Sequence, residues 1–164
     1  MRSTLSVMIV SLCVSLGHQP HGAVVAQKDR EGEVRRALQS IRDSVMNCRV
    51  DAYARLWDDP SSIFVVRGDR LKPAADYLEM WRGICRSGGG IRFDSDGDEI
   101  TIYGDMALVT GLSTWTFKTA DGTTTSGRQR NTTILRKSSG QWKIVHAHGS
   151  PLVDDPVPPS RVQT

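Results

Sequence analysis

The chain is poor in the residues that most often mark metal and covalent chemistry, with four histidines and three cysteines in 164 residues. It has no glycine-rich phosphate loop and no nucleophile elbow, which sets aside nucleotide-dependent chemistry and the serine-hydrolase arrangement. No apolar run reaches the roughly 20 residues that a membrane-spanning helix needs. Neither sign of charge dominates: Lys+Arg number 21 against 18 Asp+Glu, a scattered formal +3 that predicts no nucleic-acid partner. No repeat, low-complexity block or dividing linker interrupts the chain, and its length suits one domain. What is present is a globular balance, 38% hydrophobic and 24% charged.

The first 26 residues have the organisation of a cleavable signal peptide. Arg2 supplies the positive end, residues 5–16 (LSVMIVSLCVSL) the apolar core, and Val24-Val25-Ala26 the small residues before a cut. Leu12 stands where a lipoprotein signal at Cys13 would need a small residue. Export to a periplasm or the exterior is therefore expected, with no membrane association after cleavage; the alternative is an uncleaved N-terminal anchor. The mature chain would begin at Gln27 and keep only His146 and His148 of the histidines, and only Cys48 and Cys85 of the cysteines. Two cysteines in an exported chain suggest a disulfide, the alternative being two buried thiols.

Within the mature chain, Val34, Leu38, Ile41 and Val45 recur at spacings of four, three and four, predicting an amphipathic helix over residues 29–48. A second helix is expected over 50–57, stopped by Asp58-Asp59-Pro60, then a short strand over 62–66. Pro73 suits the first turn of a third helix that buries Ala74, Tyr77, Leu78, Trp81 and Ile84 and ends at Ser87-Gly88-Gly89-Gly90. Strands are expected over 91–94, 100–103, 106–118, 128–137 and 142–148, separated by turn signals such as Asp96-Gly97-Asp98 and Ser138-Ser139-Gly140. Helices followed by hairpin-linked strands predict an α+β domain with an antiparallel sheet. The proline-bearing tail, 151–164, is expected to be irregular.

This order, together with the run Gly140-Gln141-Trp142-Lys143-Ile144-Val145-His146-Ala147-His148-Gly149-Ser150 and the preceding Arg130-Asn131-Thr132-Thr133-Ile134-Leu135-Arg136, resembles the SnoaL-like branch of the nuclear transport factor 2-like superfamily over residues 30–150. The resemblance implies a cone-shaped, cystatin-like domain in which a strongly curved sheet wraps the long helix, with a pocket at its open end. It also implies a tendency to form homodimers through the outer sheet face. It implies little about activity, because a fold does not fix a function.

The residues that could carry chemistry are few. His146 and His148 lie two apart on a predicted strand and so are expected on one face with Trp142 and Ile144, turned toward the interior. A histidine there could act as base or acid, and Arg130, with Thr132 on the preceding strand, could hold a carboxylate. The competing reading is structural, with these groups satisfying one another. Asp58 and Asp59 follow Trp57, and a carboxylate against Trp57 and Tyr53 would have a raised pKa suited to a general base, unless the pair merely ends a helix. Tyr53, Trp57, Trp81 and Trp115 could line a cavity, although aromatics at such spacings are first of all core.

Metals are not expected. The His-x-His pair lacks a third zinc ligand at any fixed spacing, and the acidic run from Asp94 to Glu99 has its glycine fourth instead of sixth for a calcium loop. No cofactor is expected either. Three functions remain: an exported domain binding a small apolar or carboxylated molecule; a cofactor-independent isomerase, cyclase or dehydratase using His148 or Asp58/Asp59 as base; and a dimeric interaction module.

Overall fold

In the computed structural model, residues 21–64 and 71–152 are described, with side chains from residue 27 onward. The apolar core of the expected signal peptide, the last two residues of the strand expected over 62–66, and the tail beyond Leu152 lie outside the described residues. Among the described residues no helix is long and apolar enough to cross a membrane.

Helix α1 (His21–Met46) buries the predicted stripe, with Val34 fully covered and Leu38 and Val45 nearly so. It starts eight residues before the expected boundary, inside the stretch that cleavage after Ala26 would shorten. Its outer end is tied to the sheet where Glu33 accepts from Lys137 Nζ at 2.6 Å and from Trp142 Nε1 at 3.0 Å. Helix α2 (Val50–Ala54) is shorter than expected. Trp57 begins strand β1 (Trp57–Phe64) instead of ending the helix. Tertiary pairing overrides helical propensity here: Leu56 O accepts from Ile144 N at 2.8 Å, and the Trp57 indole is buried in the core. The short β2 (Lys72–Pro73) leads into α3 (Ala74–Arg86), whose buried face is the expected one, with Ala74, Leu78 and Trp81 covered and Tyr77 and Ile84 packed beside them.

Cys48, at the end of α1, and Cys85, in the last turn of α3, form a disulfide with Cα atoms 5.7 Å apart. It joins the corner of the first two helices to the third.

Four long strands follow: β3 (Gly90–Tyr103), β4 (Met106–Lys118), β5 (Thr124–Ser138) and β6 (Gln141–Pro151). The six strands make one sheet in the order β2-β1-β6-β5-β4-β3. The chain is α+β, as expected, but the sheet is mixed, because β1 runs parallel to β6 while every other pairing is antiparallel. A parallel neighbour requires a crossover, which the long antiparallel segment between β1 and β6 provides and no local pattern announces.

Two bulges depart from the expected strands. Residues 91–94 and 100–103 belong to one strand, and Asp96-Gly97-Asp98 is a bulge inside it: Ser95 pairs with Ser113 and Asp98 with Gly111, so β3 carries one extra residue. Gly111 is required there, because a Cβ on it would stand 2.5 Å from Gly97 O. In β6, Leu135 pairs with Ile144 but Ile134 pairs with His146, leaving Val145 as the extra residue.

Candidate functional site

The concave side of the sheet, closed over by α1 and α3, encloses a cavity of about 600 Å³, within the size range of small-molecule sites. Its walls are mainly apolar: Leu38, Ile41 and Val45 from α1, Tyr77, Met80 and Trp81 from α3, and Phe93, Val109, Trp115 and Phe117 from the sheet. Tyr53 completes the wall, with Tyr77 at 6.4 Å and Trp57 at 5.8 Å between ring centres, edge to face. Trp57 is buried behind these tyrosines and is absent from the cavity lining. Burial raises both phenols above their ordinary pKa, so Tyr53 and Tyr77 are neutral donors and not bases. Trp115 lies across Gly127, where a Cβ would come within 2.7 Å of the indole ring.

Polar groups enter this cavity from alternate positions of the strands. Asn131 Nδ2 donates to Ser113 Oγ at 2.7 Å, and Gln129 Nε2 donates to Asn131 Oδ1. Ser113 and Gln129 are buried, and Thr133 continues the same face of β5. From α1, Arg42 forms an ion pair with Asp98, whose second carboxylate oxygen accepts from Ser95 Oγ at 3.2 Å.

Of the expected acid–base residues, only His148 touches the cavity, at its edge. Beyond the Val145 bulge the alternation of β6 inverts, so Ala147 faces the cavity beside Thr133 while His146 and His148 turn to the convex side. There Ser62 Oγ meets His146 Nδ1 at 3.0 Å, and Phe64 packs against both imidazoles, with ring centres 6.5 and 5.9 Å away. His148 borders the cavity but is exposed, and it does not share a face with Trp142 and Ile144. Burial, and then the neighbouring His148, lowers the pKa of His146.

Arg130 and Thr132 occupy the opposite face of β5 from Asn131, and Arg130 donates to Pro151 O at 3.4 Å. Asp58 is also directed away from the cavity, paired with Arg136 at 2.7 Å. That guanidinium lowers its pKa, the reverse of the expected rise. Asp59 is exposed. Of the expected lining residues, Tyr53, Trp81 and Trp115 meet at the cavity; Trp57, Arg130 and Thr132 do not.

Arg42, Asp98, Ser113, Gln129 and Asn131 line the cavity and were not expected there from the sequence. A usable signal existed in β5, where Gln129, Asn131 and Thr133 are in phase with the fully buried Leu135. Among the described residues no group of three or more His, Cys, Asp or Glu side chains is placed to hold a metal ion.

The family described as the SnoaL-like domain matches residues 34–154, well over half of the chain. No curated relative matches. Among solved structures, a candidate dehydratase of the NTF2-like family from Streptomyces avermitilis is similar with a TM-score of 0.67 and 20% identity, covering 78% of this chain and 99% of its own. An NTF2-like protein with a cystatin-like fold from Novosphingobium aromaticivorans is similar at 0.63 and 19%, covering 85% and 95%. The association domain of CaMKII from C. elegans is similar at 0.61 and 18%, covering 76% and 98%. The chain is a member of the SnoaL-like domain family, on the NTF2-like fold.

Proposed function

We propose that this chain is an exported small-molecule-binding domain whose ligand occupies the cavity between the sheet and the helices. The observation that carries the proposal is the Ser113–Asn131–Gln129 hydrogen-bonded row set into walls of aromatic and aliphatic side chains. Apolar walls supply affinity by burying ligand surface, and a few fixed polar groups orient what is bound. The ligand is compact and largely apolar, with a polar end. Arg130 does not supply a carboxylate site in this reading, because it lies on the other face of β5. Export is supported by the N-terminal apolar run and by the Cys48–Cys85 bond, since disulfides persist in oxidising compartments.

Among the bases named for the isomerase, cyclase or dehydratase alternative, Asp58 is held ionised by Arg136 away from the cavity, Asp59 is exposed, and only His148 reaches the cavity, at its exposed edge. The remaining support for that alternative is the likeness to a candidate dehydratase. A second copy of the chain is proposed as a partner on the convex face, where Leu112 stands partly exposed.

A neutral apolar dye, N-phenyl-1-naphthylamine, tests the proposal. Wild-type protein should bind it saturably at one site with a rise in dye fluorescence. Ser113→Phe, which fills the cavity from its polar wall, should abolish that signal while the protein remains folded by circular dichroism. Absence of binding to wild type, or equal binding to the variant, would refute a ligand role for the cavity.

A further inference from the structure

We propose that the cavity selects ligands carrying a neutral hydroxyl group, which donates to Asp98 and accepts from Ser113, over the corresponding carboxylates. This rests on the ligand-binding reading above and names the chemistry of the polar end. The basis is one cross-strand row. Asp98 of β3 pairs with Gly111 of β4, Gly111 with Asn131 of β5, and Asn131 with Gly149 of β6. All four border the cavity. Polar side chains therefore alternate with positions that have no side chain, and at Gly111 the missing Cβ lets the β3 bulge and the Asp98 carboxylate close in over the strand.

The bulge in β3 is what turns Asp98 into this row. Its Oδ1 lies 3.2 Å from where a Cβ of Gly111 would stand, so the carboxylate leans over the glycine. Bulges commonly re-aim a side chain beside a functional site. With Arg42 on one oxygen and Ser95 on the other, the carboxylate is oriented and still has lone pairs to accept from a ligand. In the next row, Ser95 pairs with Ser113 and Ser113 with Gln129. The Ser113 oxygen already accepts from Asn131, which leaves its own proton to donate.

Charge decides between a hydroxyl and a carboxylate. Arg42 and Asp98 together are neutral, so an anionic ligand would be desolvated against a carboxylate whose counter-charge is already engaged. A neutral hydroxyl meets an acceptor at Asp98 and a donor at Ser113 without that cost.

Three probes of one shape, 2-naphthol, naphthalene and 2-naphthoate, measured by isothermal titration at neutral pH, test this. Wild type should bind 2-naphthol about ten-fold more tightly than either of the others, the scale of one hydrogen bond to a charged group. Asp98→Asn and Ser113→Ala should each weaken 2-naphthol severalfold and leave naphthalene unchanged. If 2-naphthol and naphthalene bind equally, hydroxyl selection is overturned while the cavity reading stands. If 2-naphthoate binds most tightly, Arg42 reads a carboxylate and the inference is wrong. If none of the three binds, both readings fall. The wild-type series decides the matter even where a variant does not fold.

Discussion

At the residue scale, the side chains with the most suggestive chemistry are held in structural partnerships. His146 is the clearest case, with burial and then His148 holding its imidazole below the ordinary value of 6.5, in the neutral form, beside the Ser62 hydroxyl. The unfolded chain takes up a proton near that value before the folded one does. The neutral ring's stabilising contribution is therefore complete above 6.5 and is lost as pH falls toward the lower folded value. The melting temperature of wild type should accordingly fall more steeply than that of His146→Gln between about pH 7 and pH 5, a window set by histidine titration. Parallel curves would show that the imidazole titrates as it does in the unfolded chain. The pattern of Asp58 next to aromatic residues suggested desolvation, but the side chain points to Arg136. Which of two neighbours a side chain meets depends on which face of the strand it leaves, and adjacency in the chain does not specify that.

At the scale of elements, the helices were the legible part. The stripe Val34, Leu38, Ile41, Val45 and the buried face of α3 follow from periodicity alone, because a helix keeps its phase over its whole length. Strands do not keep theirs when a bulge intervenes. Val145 reverses which side of β6 faces the cavity, and the Ser95–Asp98 irregularity joins two expected strands into one. The disulfide is the element-scale feature with the largest expected energetic effect. It closes a separation of 37 residues, for which the chain-entropy relation gives roughly 4 kcal/mol. Replacing both Cys48 and Cys85 by Ser should lower the urea midpoint, with a steeper slope because the unfolded chain is no longer cross-linked. Because α3 carries Tyr77, Met80 and Trp81 of the cavity wall, dye binding should weaken as well. An unchanged midpoint would mean that the bond restrains nothing that unfolding releases.

At the scale of the whole molecule, export and pairing of copies can be read in one experiment. Expressed with its own N-terminus in a bacterial host that exports it, the protein should appear in native mass spectrometry as a dimer of chains beginning at Gln27. An intact Met1 would contradict cleavage, and a monomer at micromolar concentration would contradict pairing. Leu112→Arg, on the convex face, should convert the dimer to monomer without loss of the fold. The sequence by itself determined the α+β class and the helix faces, because these depend on local periodicity, while the family was legible only as a resemblance carried by the runs 130–136 and 140–150 and the Cys48–Cys85 bond only as one of two alternatives. It also marked Tyr53, Trp81 and Trp115 as candidates for a cavity wall. Only the tertiary structure decided that β1 pairs in parallel with β6, and that Asp98, Ser113 and Asn131 converge while Arg130 and Asp58 diverge and His148 reaches only the cavity edge. The physical reason is register. One extra residue in a strand exchanges its two faces, and whether the strand bulges is settled by its neighbours across the sheet and by what the helices press against it.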